Sequence, residues 1–415
     1  MILLSHPTGN SNVRNALLAL DQEGLLAEGH VSILTRPGNL FDKLGKLPGL
    51  SDFTRRSFPA SLAGKIEGHP LKELGRLAAS KAGLRSMVAH ERGVFCVDAV
   101  YHSLDRSVAK RLRSVGVSGG ISGVYCYEDG ALQTFQAARK LGIQTIYDLP
   151  IGYWRAGQRI QSEEAERLPE WANTMPALID SEEKLARKDE ELRLAGQILV
   201  ASSFTAQTLQ DAPFELPEPL VIPYGCPPVL NHHTIRETEV GGVNSPLKVL
   251  FVGGLSQRKG LSYLFEAVKQ LRSLVELTVI GRKPDVVCRP LDEGIGSCRY
   301  IPSLSHEQIL AEMDRQDVFV FPSLFEGFGL VITEALSRGL PVITTSHTCG
   351  PDVLTDGVDG FLVPIRRAEA IAEKLELLHR ERSLLAAMKA AALEKARHLS
   401  WEMYRASVSA AVKAG

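Results

Sequence analysis

The sequence predicts an α/β protein built from two Rossmann-like domains that face each other across a cleft. Three observations point there. Short apolar, β-branched runs alternate with longer amphipathic stretches, the pattern of βαβ units and parallel sheets. The chain has 415 residues, more than one hydrophobic core usually serves. A stretch rich in Pro, Gly and polar residues over 228–247 separates two such series, as a linker does. The expected domains are therefore residues 1–228 and 229–396. A terminal helix at about 397–415 is expected to cross back to the first domain.

Residues 1–7 read as a first strand. They lack a basic segment and turn polar at once, unlike an export signal. Further strands are expected at 31–34, 123–126, 145–147, 197–200 and 220–222 in the first half. In the second half they are expected at 249–252, 277–280, 318–321 and 341–344. Helical spacing falls between them, for example at 130–141, 262–275, 305–315 and 329–338. Residues 40–90 are punctuated by Pro48, Gly49, Pro59, Gly64, Gly68 and Pro70. They read as loops and short helices above the first sheet.

Composition narrows the function classes. Hydrophobic residues make up 44% and charged residues 23%, an ordinary globular balance. A formal net charge of −1 argues against nucleic acid as a partner held by bulk electrostatics. No run reaches the roughly 20 apolar residues a membrane span needs. The local basic groups Arg55-Arg56 and Lys110, Arg111 and Arg113 read as solvated faces, and they leave room for peripheral contact with an anionic membrane surface. The six cysteines contain no CxxC pair, which suits reduced thiols and a cytoplasmic location. No DxD, HExxH or paired Cys/His spacing occurs, so neither a metal nor a cofactor is expected. Isolated histidines, including His232 and His233, read as surface or core residues.

The richest segment is 319–336. A buried strand ends at Phe321 or Pro322, a Gly-bearing turn carrying Glu326, Gly327 and Phe328 follows, and a helix begins near Gly329. Ligands of open α/β sheets bind beyond the carboxyl ends of strands, and helix N-termini favour phosphate. Gly327 and Gly329 permit close backbone approach. Glu326 and Glu334, eight positions apart, are acceptor-only carboxylates suited to sugar hydroxyls. A second cluster runs through Gly253, Gly254, Arg258, Lys259 and Gly260. It puts two cations in a Gly-bearing turn after a strand, a fit for a diphosphate and for the charge it gains as a glycosidic bond breaks.

These residues resemble glycosyltransferase family 4, of the GT-B fold. Glu326 and Glu334 stand as its E-x7-E pair. Residues 339–343 and 356–363 are also similar to family segments, and the likeness covers most of 245–395. Lys259 sits at the Lys position of the family's G-x-L-x-x-x-K-G loop. Gly254 replaces an Arg that many members carry, so Arg258 is expected to supply that charge. The resemblance implies a retaining, metal-independent hexosyl transfer from a nucleotide-diphosphate sugar to a hydroxyl acceptor. It implies that Glu326 contacts the donor sugar and Glu334 the ribose hydroxyls. Backbone groups of Phe328, Gly329 and Leu330 would then face the donor, with Arg282 in the following G-x-x turn near the nucleotide. The first loop, with Gly9 and Asn10, is similar to the family's phosphate- and acceptor-facing loop. Glu128, Asp129, Asp148 and Tyr153 are expected on the acceptor side. Many members have a His near the reacting sugar; here no His occurs between His102 and His232. A nucleotide-sugar 2-epimerase or hydrolase, or a non-catalytic nucleotide-sugar-binding subunit, stays open as an alternative.

Overall fold

The computed structural model describes residues 1–47, 51–116, 119–229 and 245–415. Pro48, Gly49, His232, His233 and most of the 228–247 break lie outside them, as does the side chain of Arg55. Thirteen strands are found among the described residues, and every pair is parallel.

The first sheet contains β1 (Ile2–Ser5), β2 (Leu26–Val31), β3 (Ile66–Gly68), β4 (Gly123–Tyr127), β5 (Gln144–Leu149), β6 (Gln197–Val200) and β7 (Leu220–Val221). Its order is β3-β2-β1-β4-β5-β6-β7. The second contains β8 (Leu247–Val252), β9 (Val275–Ile280), β10 (Arg299–Ile301), β11 (Val318–Phe321), β12 (Val342–Thr345) and β13 (Gly360–Val363). Its order is β10-β9-β8-β11-β12-β13. This is the two-Rossmann-like α/β fold. The central strands β4 and β11 are buried at every position, because helices cover both faces of a parallel sheet. Strand order reverses between β1 and β4 and again between β8 and β11. Such switch points open a crevice beyond the carboxyl ends of the strands.

Two of the joints between the halves are a helix pair and a buried carboxylate. Helix Trp401–Ala414 lies on helix Ser11–Gln22 of the first half: Ser409 Oγ donates to Ala19 O at 2.9 Å, Arg405 Nη1 to Asn15 Oδ1 at 2.8 Å and Lys413 Nζ to Glu23 Oε2 at 2.6 Å. Across the cleft, helix Trp154–Arg167 presents Glu164, whose side chain is fully buried. Its carboxylate accepts from Gln257 Nε2 at 2.7 Å, Tyr263 Oη at 2.8 Å and Arg366 Nε at 2.8 Å. Arg366 holds a positive φ of 61°, a conformation that costs a non-glycine residue of order 1 kcal/mol or more.

Two sequence expectations shift. The strand expected at 31–34 runs Leu26–Val31, because β1 pairs from Ile2↔Leu26 and Ser32 N turns to Pro7 O instead of continuing the ladder. The 40–90 segment holds more than loops and short helices. It includes edge strand β3, three residues long, and helix Leu71–Lys81, 11 residues long.

Replacing Glu164 by Ala leaves the Arg366 guanidinium without its buried partner. Loss of about 3 kcal/mol is expected, measured as a lower denaturant midpoint in equilibrium unfolding.

Candidate active site

The second-domain site forms where β8 and β11 end. The 256–260 turn is clamped onto the 322–326 loop: Leu324 N and Ser323 Oγ both donate to Arg258 O, at 2.8 and 3.1 Å. Gly260 makes this approach possible. Its φ is +70°, and a Cβ there would lie 2.0 Å from Pro322 O. The clamp sets the Arg258 and Lys259 side chains beside Glu326. Arg258 Nη1 donates to Phe325 O at 2.6 Å and to Glu326 Oε2 at 3.3 Å, and Lys259 Nζ contacts the same Glu326 oxygen. The ammonium also lies over the Phe321 ring, 4.9 Å from its centroid. Burial brings the Arg258 guanidinium down to about 10. Burial, then the adjacent Arg258, lowers the Lys259 ammonium.

Helix Leu330–Ser337 starts beside this cluster. Its N-cap Gly329 has φ 87° and no side-chain cap, so the first-turn amides have no capping side chain to accept from them. Phe328 is buried against Tyr224, ring centroids 5.1 Å apart. Gly327 serves the contact between domains. Its carbonyl accepts from Ser202 Oγ at 2.5 Å and Thr205 Oγ1 at 2.9 Å, and a Cβ there would strike Pro150 O at 1.9 Å. Glu334 accepts from His306 Nε2 at 3.0 Å. That contact was not read from the sequence, where His306 is one more isolated histidine; helix His306–Met313, which precedes β11, brings it near.

Gly253 and Gly254 follow β8. Gly253 N donates to Ile280 O at 2.9 Å, and a Cβ on Gly254 would meet nothing within 4 Å. Exposed Arg282 contributes its backbone carbonyl to Leu255 N at 3.0 Å. A cavity of about 1240 Å³ lies elsewhere, beneath the amino ends of β8, β9 and β10, with Lys248, Glu276 and Arg299 in its wall. That is the wrong end of a parallel sheet for the ligand crevice.

The first-domain residues are more committed than the sequence suggests. Asn10 caps helix Ser11–Gln22 through Val13 N at 3.1 Å, and Gly9 packs against Phe58 while its carbonyl accepts from Arg14 Nε at 2.6 Å. Two acceptor-side expectations need correction. Tyr153 is fully buried and its hydroxyl donates to Asp189 at 2.7 Å, so it has no face for a sugar. Asp148, near the end of β5, is buried and accepts from Tyr125 Oη at 2.7 Å, which encloses it away from an acceptor. Burial pushes Asp148 up to about 7. Glu128, also raised by burial to about 7, lies 3.4 Å from Lys188. Asp129 has φ 67° and donates its backbone N–H to Glu191 at 2.8 Å. His6, unassigned by its own chemistry in the sequence, ends β1 between the rings of Tyr101 and Tyr127. Burial lowers it to about 4, and its Nδ1 lies 3.0 Å from Thr8 N and 3.1 Å from Thr8 O.

Comparisons agree with this geometry. Residues 237–395 match the family model described as glycosyl transferases group 1. Among curated proteins, an amylovoran biosynthesis glycosyltransferase of Erwinia amylovora is 30% identical over 143 residues, 31% of this chain and 35% of that protein. A phosphatidyl-myo-inositol mannosyltransferase of Mycobacterium leprae is 30% identical over 166 residues, 39% of this chain and 44% of that protein. The chain thus spans less than half the length of either relative. Among solved structures, a sucrose-phosphate synthase from Thermosynechococcus elongatus superposes with TM-score 0.67 at 17% identity, covering 100% of this chain and 98% of that one. An Anabaena protein solved with UDP and glucose gives TM-score 0.63 at 16% identity, covering 100% and 99%. These likenesses show the GT-B fold. No helix among the described residues is long and apolar enough to cross a membrane.

The hydrogen bond to Glu334 raises the His306 imidazole above its ordinary 6.5. A raised value makes the contact fully present below the ordinary pKa and lost as pH rises through the raised one. In an NMR titration, Glu334→Gln should return His306 toward 6.5; an unchanged midpoint would remove Glu334 as the cause.

Proposed function

We propose that this chain is a retaining glycosyltransferase of family 4 that moves a hexosyl group from a nucleotide-diphosphate sugar to a hydroxyl acceptor, without a metal ion, on the cytoplasmic side. One observation carries the reading: Glu326, Arg258 and Lys259 converge at the β8/β11 switch point, beside an uncapped helix N-terminus. The family-model match over the same residues supports it.

The geometry suggests a sequence of exchanges. Without donor, Glu326 is the counter-ion of both cations. A diphosphate is the stronger anion and takes Arg258 and Lys259 for itself. Glu326 is then released to accept from a donor-sugar hydroxyl, while Glu334 exchanges exposed His306 for ribose hydroxyls. As the bond between the anomeric carbon and the diphosphate oxygen breaks, the two cations and the helix amides stabilise the charge left on that oxygen. The acceptor oxygen bonds to the same face of the sugar, and its proton passes to the departing diphosphate. The acceptor and its loops belong to the first domain, where a peripheral membrane contact would also be made.

Thermal-shift assays with UDP, GDP, ADP and TDP, each with and without EDTA, test the donor site. Stabilisation by one diphosphate, unaffected by EDTA, is expected; no shift at millimolar ligand would count against it. Lys259→Ala and Glu326→Gln should each lower turnover by roughly 10²–10³, and wild-type turnover in both would sink the assignment. Gly254→Arg places a guanidinium in open space. It should fold normally and tighten diphosphate binding about tenfold, the worth of one charge-assisted hydrogen bond.

A further inference from the structure

A second cluster of metal-binding chemistry lies at the far edge of the first sheet, on residues the transfer reaction does not use. The register β2–β3 pairs His30 with Glu67, and His69 follows directly after β3. The β3 chain stays on β2 there, because His69 N donates to Val31 O at 2.8 Å. His30 Nδ1 lies 3.0 Å from His69 Nε2 and 3.8 Å from Glu67 Oε2. The three atoms lie within 4.8 Å of one another. Zinc binds such ligands at about 2.0–2.2 Å in a tetrahedron, which sets ligand atoms roughly 3.3 Å apart. The observed separations bracket that value.

The protonation pattern makes the cluster unusual. Arg111 holds the Glu28 carboxylate through Nε at 3.0 Å and Nη2 at 2.5 Å. That ionised carboxylate faces His30 Nε2 at 3.1 Å and can only accept, so Nε2 bears the ring proton. His30 is fully enclosed. His30 Nδ1 is then a lone pair, facing a second imidazole nitrogen and a carboxylate oxygen. One shared proton can satisfy only one of these contacts. A carboxylate that fixes the tautomer of a histidine from behind is also the usual outer partner of a metal ligand. Glu67 is 59% exposed at the side chain, so the cluster is reached from solvent on that side. By contrast, the other His-bearing cluster, His90, Glu91 and Asp180, already spends Glu91 on Ser181 N and Oγ.

We propose that His30 Nδ1, His69 Nε2 and Glu67 form a site for one divalent transition-metal ion of the zinc class, which clamps edge strand β3 to β2. The site is separate from the donor cleft, and sugar transfer does not pass through it.

The full chain, stripped with EDTA and dialysed, is titrated with Co²⁺ by visible absorption and with Zn²⁺ by calorimetry. One Co²⁺ per chain is expected, displaced by Zn²⁺, with no thiolate charge-transfer band. Zn²⁺ should raise the melting temperature of the wild type. His69→Gln and Glu67→Gln, both away from the closed core, should abolish binding and the thermal shift. Glu28→Gln should weaken affinity roughly 10–100-fold, and His90→Gln should leave stoichiometry unchanged. Absence of binding by the wild type overturns the site. So does undiminished binding by both His69→Gln and Glu67→Gln, or a charge-transfer band placing the ion on cysteine.

Discussion

Much of the second domain is organised around one carboxylate against two cations. Glu326 is largely enclosed beside Arg258 and Lys259, and removing charges from water is costly unless they are paired. The pairing therefore fixes where two loops can meet. The 256–260 turn must come close enough for its backbone to accept from Ser323 and Leu324, and only a glycine at 260 allows that approach. With the loops locked, the strand ends β8 and β11, the uncapped helix start and the carboxylate occupy one small volume. A single competing anion can then reorganise the cluster without moving the backbone.

The same loop carries the domain contact. Phe325 stacks edge-on against Phe204 and fits over Gly152 and Gly157 of the first domain, while Gly327 offers its carbonyl to Ser202 and Thr205. Glu326 thus sits between two residues whose positions depend on the first domain. The buried Glu164 network, with partners Gln257, Tyr263 and Arg366, joins the same turn from the other side, since Gln257 immediately precedes Arg258. Ordering of the cations and docking of the domains are one packing problem.

The second domain was legible because its chemistry is local. Glu326, Gly329 and Glu334 lie on one strand–turn–helix unit, so spacing along the chain maps onto spacing in space. Arg258 and Lys259 follow the neighbouring strand by the same rule. The first domain was less legible because its polar residues are satisfied over long sequence distances. Tyr153 reaches Asp189, Asp148 reaches Tyr125, and Glu128 meets Lys188, and no local pattern marks such pairs. The β2–β3 cluster escaped for a related reason. A three-residue strand leaves no periodic signal, yet its register is what sets Glu67 opposite His30.

The commitments of the first-domain carboxylates bear on the chemistry. With Asp148 enclosed and Glu128 held by Lys188, the acceptor finds few first-domain carboxylates left to take its proton. The retaining transfer proposed above does not require one, because in it the departing diphosphate would itself be the base. Its basicity is then the quantity the protein must tune. Each fixed cation eases departure of the diphosphate but makes it a poorer proton acceptor. Lys259 is buried and Arg258 is largely enclosed, so their charges act at short range in a poorly screened site. Gly254 withholds a third cation where a side chain would have had room. That choice favours a more basic leaving group over a faster departure, and it suits a site whose acceptor side offers no free imidazole from the 103–231 stretch of the chain.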